Sequence, residues 1–308
     1  MTKEAIWNTL LKLKNMPFGS VQCIANTELD IEVEQIISKV TTNKCLTNPT
    51  IHDEFTETYL AFIKNTKNNR LHGIGDFSAR AYSNGTTEAF DKFYLRNKHK
   101  RLCYLVGEYM YHIASATAYF SEHAAITDYS MLKNGDALVI SYPFADTGNE
   151  PADIVTLLEI CTNKNIPVLI DCCYFGVCSD IDFYFNYPCV TDITFSLSKN
   201  FPVQHLRIGM RLTRIDDDDP LFVYNKNKYV NRIGAAVGLE LVKKYNADYN
   251  YNTYYKTQQE FCNTLGVNPS KCVFFATSTD KFHDYNRGTH SNRLCFSKYL
   301  KSGKLPQT

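Results

Sequence analysis

In Ser196-Leu197-Ser198-Lys199-Asn200-Phe201 a lysine stands among hydroxyls, and Arg207-Ile208-Gly209 places an arginine eight residues further on. A lysine amine forms Schiff bases with aldehydes, and the planar guanidinium fork matches a phosphate better than an ammonium does. The stretch therefore reads as a covalent cofactor anchor beside a phosphate clamp. An isolated Ser-x-Ser-Lys is usually a solvated surface loop, so a second motif has to carry the reading. Asp171-Cys172-Cys173-Tyr174 closes the apolar run Ile166-Pro167-Val168-Leu169-Ile170, 28 positions before Lys199. Ligands of open parallel sheets bind outside the carboxyl ends of the strands. Asp171 and Lys199 end two such predicted strands with opposite charges.

Together the two segments resemble fold type I of the pyridoxal-phosphate (PLP) enzymes, the aspartate aminotransferase superfamily. Ser-Leu-Ser-Lys-Asn-Phe with Arg-Ile-Gly is similar to that family's lysine segment, and Asp-x-x-Tyr to its pyridine-nitrogen segment. The resemblance implies that Lys199 forms the Schiff base and Asp171 pairs with the ring nitrogen. It implies that Tyr174 donates to the ring's 3-oxygen and that Ser196, Ser198 and Arg207 hold the phosphate.

Upstream, Asn84-Gly85-Thr86-Thr87-Glu88-Ala89 is a glycine turn running into helix formers. A helix starting there aims unpaired N–H groups and two hydroxyls at whatever precedes it, which suits a phosphate or an ordinary cap. The family's Gly-x-x-Glu-Ala segment binds the cofactor phosphate, so the resemblance assigns Gly85, Thr86 and Thr87 to it. Tyr109 follows the predicted strand Leu102 to Val106. A flat ring just past a strand end can stack on a heteroaromatic ring, and the family has such an aromatic at about this distance. Arg293, in Asn292-Arg293-Leu294-Cys295-Phe296-Ser297, matches the family's substrate-carboxylate arginine, with Arg287 as a nearby competitor. One departure stands out. Where the family has Asn-Pro-Thr-Gly, with the asparagine donating to the 3-oxygen, this chain has Ala145-Asp146-Thr147-Gly148. A carboxylate only accepts, so Asp146 does not replace that amide.

The elements that must position these residues follow from periodicity. Helices are expected over residues 4–14, 31–40, 50–62, 112–128, 151–163, 221–245 and 246–264. Strands are expected over 77–83, 102–106, 137–142, 166–170, 191–195, 207–212, 273–276 and 293–297. Alternation from 77 to 213 predicts an α/β fold with a mostly parallel sheet and right-handed crossovers. The family resemblance adds a division into a PLP-binding large domain over 46–250 and a reduced α+β small domain formed by 1–45 and 251–308.

With 33 basic and 32 acidic residues, charge points to neither nucleic acid nor an anionic membrane. No apolar run approaches a membrane span and no signal peptide is evident, so a cytoplasmic protein is expected. Eleven cysteines lack any Cys-x-x-Cys pair, which argues against zinc and a disulfide framework. The carboxylate run Asp216 to Asp219 reads as the cap of a helix starting at Pro220 rather than as a metal cage.

The resemblance implies a PLP-dependent aminotransferase moving an amino group between an amino acid and a keto acid, built as a homodimer. Two alternatives stay open: another PLP reaction on an amino acid (lyase, cyclase or decarboxylase), and a non-catalytic binding subunit of the same fold.

Overall fold

A computed structural model describes residues 11–215 and 219–306. Its centre is a seven-stranded sheet. The strands are β2 (Ala79–Ser83), β3 (Arg101–Leu105), β4 (His123–Ile126), β5 (Asp136–Ser141), β6 (Val168–Asp171), β8 (Val190–Ser196) and β9 (Gly209–Thr213). They lie in the order β2-β9-β8-β6-β5-β3-β4, with β9 antiparallel to both its neighbours and the other contacts parallel. A short parallel pair, β1 (Arg70–His72) with β7 (Asp182–Tyr184), lies apart from it.

Successive strand residues face opposite sides, and both sides of this sheet are apolar, as a sheet covered by helices requires. Leu138, Ile140, Val168, Ile170, Ile193 and Phe195 face one layer; Leu102, Tyr104, Ala137, Val139 and Leu169 face the other. The first layer holds α1 (Thr27–Thr42), α2 (Ile51–Lys64), α5 (Ile154–Asn163) and α7 (Arg232–Lys244); Leu29, Val33, Ile36 and Val40 of α1 enter its core. The second holds α3 (Gly85–Arg96) and α4 (Met110–Tyr119). In α3 the apolar positions Phe90, Phe93 and Tyr94 fall on one helical face and are fully buried. Each such aromatic contributes roughly 1.5–3 kcal/mol on burial.

A second core joins the two ends of the chain. Leu13, Phe18 and Ile24 pack with Tyr254 and Phe261 of α8 (Tyr249–Leu265) and with Phe274, Phe275, Phe296 and Leu300. It is backed by the antiparallel sheet β10 (Asn268–Pro269), β11 (Phe275–Ser278) and β12 (Asn292–Cys295). Backbone bonds from Cys295 N–H to the Phe18 carbonyl (2.8 Å) and from Ala25 N–H to the Ser297 carbonyl (3.0 Å) seat the N-terminal segment there.

Three expectations on the elements are corrected. The helix expected over 112–128 is α4, which ends at Tyr119; residues 123–126 form the sheet-edge strand β4. His-Ala-Ala-Ile has no strong strand propensity of its own, and pairing with β3 decides its state. The helix expected over 221–245 is two, α6 (Pro220–Lys226) and α7, parted by a polar link in which Lys228 takes φ 64° and Asn231 caps α7. The strand expected to begin at Arg207 begins at Gly209, because Arg207 has φ 56°. Residues 11–15 are helical, and the rest of the first expected helix lies outside the described residues, as do Asp216 to Asp218. Asp219 does cap α6, accepting from the N–H groups of Leu221 (3.0 Å) and Phe222 (3.3 Å). No helix among the described residues is long and apolar enough to cross a membrane.

Candidate functional site

A cavity of about 320 Å³ opens at the carboxyl ends of β3, β5, β6 and β8. Register brings the strand ends level: Ser141 stands beside Asp171, and Asp171 beside Thr194. One end of the cavity is an anion cradle. The Asn84 side chain donates to Glu88 Oε2 (3.1 Å) and accepts from none of the first N–H groups of α3, which leaves them without a capping acceptor. The Arg207 guanidinium donates to Thr87 Oγ1 (3.1 Å), and the Tyr82 hydroxyl donates to the Arg207 carbonyl (3.1 Å). Ser196 donates to the Ile208 carbonyl (3.1 Å), with its oxygen 2.8 Å from that of Ser198. Gly85 is required here. Its φ is 73°, and a Cβ on it would run into the Arg207 guanidinium. Arg207's own left-handed backbone is a strained conformation held by its surroundings, of the kind that gathers at ligand sites.

The opposite end is acidic and dry. Asp171 is 1% exposed and accepts from the Cys173 N–H (3.0 Å). Burial, and then the nearby Glu108 carboxyl, push its pKa up to about 7. Behind it lies His112, fully buried, with Nε2 4.0 Å from the Asp171 carboxyl and Nδ1 2.6 Å from the Tyr94 hydroxyl. Burial drives His112 down to about 3, so the ring is neutral at ordinary pH. If Tyr94 donates to Nδ1, the ring hydrogen sits on Nε2 and faces Asp171; Nε2 has no hydrogen-bond partner. Glu108, itself buried and raised by burial, accepts from Ser141 N–H (2.7 Å), Ser141 Oγ (2.8 Å) and Tyr109 N–H (2.9 Å).

Between the two ends Lys199 is half-buried, and its amine donates to the Val21 carbonyl (3.1 Å). Tyr109 caps α4 with its ring on the cavity wall, edge-on to His112 at 5.8 Å. Tyr174 is buried edge-on to Phe275 at 5.3 Å, and burial raises its hydroxyl pKa well above the ordinary value. Thus Thr86, Thr87, Tyr109, Asp171, Tyr174, Ser196, Ser198, Lys199, Arg207 and Arg293 all line one cavity, with Gly85 directly behind Arg207. The groups suit a planar, phosphorylated heteroaromatic with a basic ring nitrogen and an aldehyde: cationic cradle at one end, buried acid at the other, amine between.

No family model matches the chain, and no curated protein matches it in sequence. Solved structures do. N-succinyldiaminopimelate aminotransferase from Mycobacterium tuberculosis superposes with a TM-score of 0.68 at 14% identity, over 97% of this chain and 95% of that one. A putative amino-acid aminotransferase from Psychrobacter arcticum 273-4 gives 0.66 at 17% identity, over 98% and 93%. An aspartate aminotransferase double mutant from Thermus thermophilus gives 0.63 at 13% identity, over 98% and 94%. The chain has the aminotransferase fold of type I.

Within that fold the departure at Ala145 is visible. Its N–H donates to Ser141 Oγ (2.8 Å), and its carbonyl receives Arg293 Nη1 (2.5 Å) and Arg287 Nη1 (3.3 Å). Both arginines, Arg293 and its competitor Arg287, line the cavity. Arg293 is 6% exposed and lies over the Phe275 ring at 4.6 Å. Burial, and then Arg293, pull the Arg287 pKa down to about 10. Asp146 does not reach the cavity; its carboxyl accepts from Thr289 Oγ1 (2.5 Å). Sequence reasoning missed Glu108 and His112, which flank Tyr109. Leu13, Lys14, Gly19, Ser20 and Val21 on the cavity wall were also missed, since no local motif marks a wall brought from far along the chain.

Proposed function

We propose that the chain is a PLP-dependent aminotransferase acting on an amino acid, with a keto acid as acceptor. The convergence of Lys199, Asp171 and the Gly85–Arg207 cradle on one cavity carries this reading, and the three aminotransferases that share the fold support it. Bound there, pyridoxal phosphate supplies an electron sink for the pair released when a Cα bond breaks. Arg207, Thr87, Ser196, Ser198 and the α3 N-terminus hold its phosphate. Asp171 holds a proton at the ring nitrogen, and neutral His112 keeps that carboxyl oriented without competing for its charge. Tyr109 would cover a face of the cofactor's ring, and Tyr174 would offer its hydroxyl as a donor to the 3-oxygen. Lys199 would hold the cofactor through its amine and, when that amine is free, would serve as the base at the substrate Cα. Arg293 grips the substrate carboxylate.

One observation favours a second reading, a different reaction on the same cofactor. Ala145 puts a methyl where the family has its asparagine, so Tyr174 is the only side-chain donor assigned to the 3-oxygen. Product analysis with and without a keto-acid acceptor separates the two. By the same resemblance we propose a homodimer, checked by light scattering on the purified protein.

The decisive experiment adds pyridoxal phosphate to the purified protein and records the visible spectrum before and after borohydride, with mass mapping of the modified peptide. A band fixed on Lys199 is expected. No band and an unmodified Lys199 would overturn the proposal in favour of a non-catalytic relative.

A further inference from the structure

We infer that Cys178 and Cys272 form a modification site, at which a hydroperoxide closes one disulfide between the core of the large sheet and the core that joins the chain ends. The inference does not draw on the reaction proposed above.

The first observation is register. Cys178 and Cys272, 94 positions apart in sequence, stand opposite each other in an isolated antiparallel bridge. The bonds that make the bridge lie one residue to either side: Val273 N–H to the Val177 carbonyl (2.8 Å) and Ser179 N–H to the Lys271 carbonyl (3.1 Å). The two cysteines are therefore a non-hydrogen-bonded pair, the closer of the two antiparallel arrangements, with Cα atoms typically about 4.5 Å apart. Side chains of such a pair leave the same face. A disulfide needs a Cα separation of roughly 4.4–6.8 Å, so turning about χ1 brings the sulfurs together with the backbone in place. Among the described residues no other two cysteines face each other in a strand pair or bridge.

The second observation is how firmly the backbone holds the pair. Cys272 N–H donates to the Gly148 carbonyl (2.9 Å), and the Cys272 carbonyl accepts from Gln258 Nε2 (3.0 Å). The same amide donates to the carbonyls of Ser270 (3.0 Å) and Phe275 (2.7 Å), which knots the turn around Cys272. On the facing segment, left-handed residues at Gly176 (φ 91°) and Asp180 (φ 61°) bend the chain before and after Cys178. Two groups fixed face to face react as if at high concentration, because the entropy of bringing them together is already lost.

The third observation is where the pair sits. Cys178 packs in the core of the large sheet and Cys272 in the core that joins the chain ends. Tyr174, four residues before Cys178, lies edge-on to Phe275, three residues after Cys272, at 5.3 Å. Arg293 lies over the other side of that contact, 4.6 Å from the Phe275 ring. A bond between the two sulfurs therefore ties the cavity wall that carries Tyr174 to the sheet that carries Arg293.

The chemistry balances with hydrogen peroxide as oxidant. One thiolate attacks a peroxide oxygen; an S–O bond forms, the O–O bond breaks, and the leaving hydroxide takes up a proton as water. The second thiolate then displaces hydroxide from the sulfenic sulfur, forming the S–S bond and a second water. Two electrons pass from the sulfurs to the peroxide, and the two thiol protons end in the two waters. Both side chains are buried, at 1% and 0% exposure, so a small uncharged oxidant is the kind that reaches them. Burial also pushes the Cys178 thiol up to about 12 and raises that of Cys272 well above its ordinary value, which makes the reaction slow.

The test incubates the full chain, without cofactor, with hydrogen peroxide, blocks the remaining thiols in denaturant, and maps the digest without reduction. Two of the eleven thiols should be lost to a link between the peptides of Cys178 and Cys272. The melting temperature should rise by roughly 5–10 °C, as closing so long a loop predicts, and dithiothreitol should reverse both changes. Cys178→Ala and Cys272→Ala should each abolish the link and the rise. A wild type that keeps all eleven thiols would overturn the inference. So would a link through another cysteine such as Cys173, the one that is not fully buried, or a rise that survives in either variant.

Discussion

Replacing Asp171 by asparagine removes one ionisable group from the driest part of the cavity while keeping its shape. In the folded chain Asp171 holds its proton up to about pH 7, whereas an ordinary aspartate loses it near 3.8. Between those values the folded state binds more protons than the unfolded one, so stability falls as pH rises. Each unit of displacement corresponds to about 1.4 kcal/mol. The full effect is therefore about 4 kcal/mol, present below pH 4 and lost by pH 8. Roughly 3 kcal/mol of it falls between pH 5 and pH 8, where denaturation is easily measured. Urea unfolding of the cofactor-free wild type and Asp171→Asn across that range isolates this group, because His112 and Glu108 are present in both proteins. The wild type should lose stability relative to the variant as pH rises, with the change levelling off above pH 7. A difference between the two that stays constant within about 1 kcal/mol would show that the carboxyl is not desolvated, and the assigned role at a ring nitrogen would lose its physical basis.

Lys199→Ala should lower amino-group transfer by at least about 10³-fold, read by a coupled keto-acid assay; wild-type turnover in that variant would sink the mechanism. Gly85→Ala forces a side chain into a left-handed residue and onto Arg207, which should cost about 1–2 kcal/mol in thermal stability and weaken cofactor binding in a fluorescence titration. Glu108→Gln leaves one acceptor oxygen for the N–H groups of Ser141 and Tyr109, so a loss of about 1–3 kcal/mol is expected on unfolding. The same variant should shift the pH dependence attributed to Asp171 downward, because a neighbouring negative charge is gone.

The sequence made these cavity-lining residues legible because each sits at the end of a locally coded element. Asp171 follows five apolar residues, Lys199 follows a buried strand, and Gly85 begins a helix whose spacing of Phe90, Phe93 and Tyr94 is plain. His112 and Glu108 were not legible. A buried histidine and a buried glutamate owe their roles to groups distant in sequence, such as Asp171 and Ser141, and neither has a pattern of its own. The edge strand β4 was hidden for the same reason: Ala124 and Ala125 fit a helix as well, and pairing with Cys103 and Tyr104 settles the matter. The break after α6 was overlooked because Asn225 to Lys228 is a polar run with no proline or glycine to mark it, and a left-handed lysine leaves no signature in composition.

The reversed strand β9 has a consequence for how this site can change. In a sheet of parallel strands, the residues after one strand and those before the next lie on opposite edges, a full crossover apart. Because β9 runs back beside β8, the chain leaves the cavity edge of the sheet at Ser196 and re-enters it at Gly209, and the loop 197–208 never departs from that edge. The amine and the guanidinium therefore ride on one short excursion, while Asp171 and the α3 cradle belong to separate crossovers. A graft or deletion confined to that loop moves the Lys199 amine and the Arg207 guanidinium together, so the two are inherited, lost or transplanted as a single part.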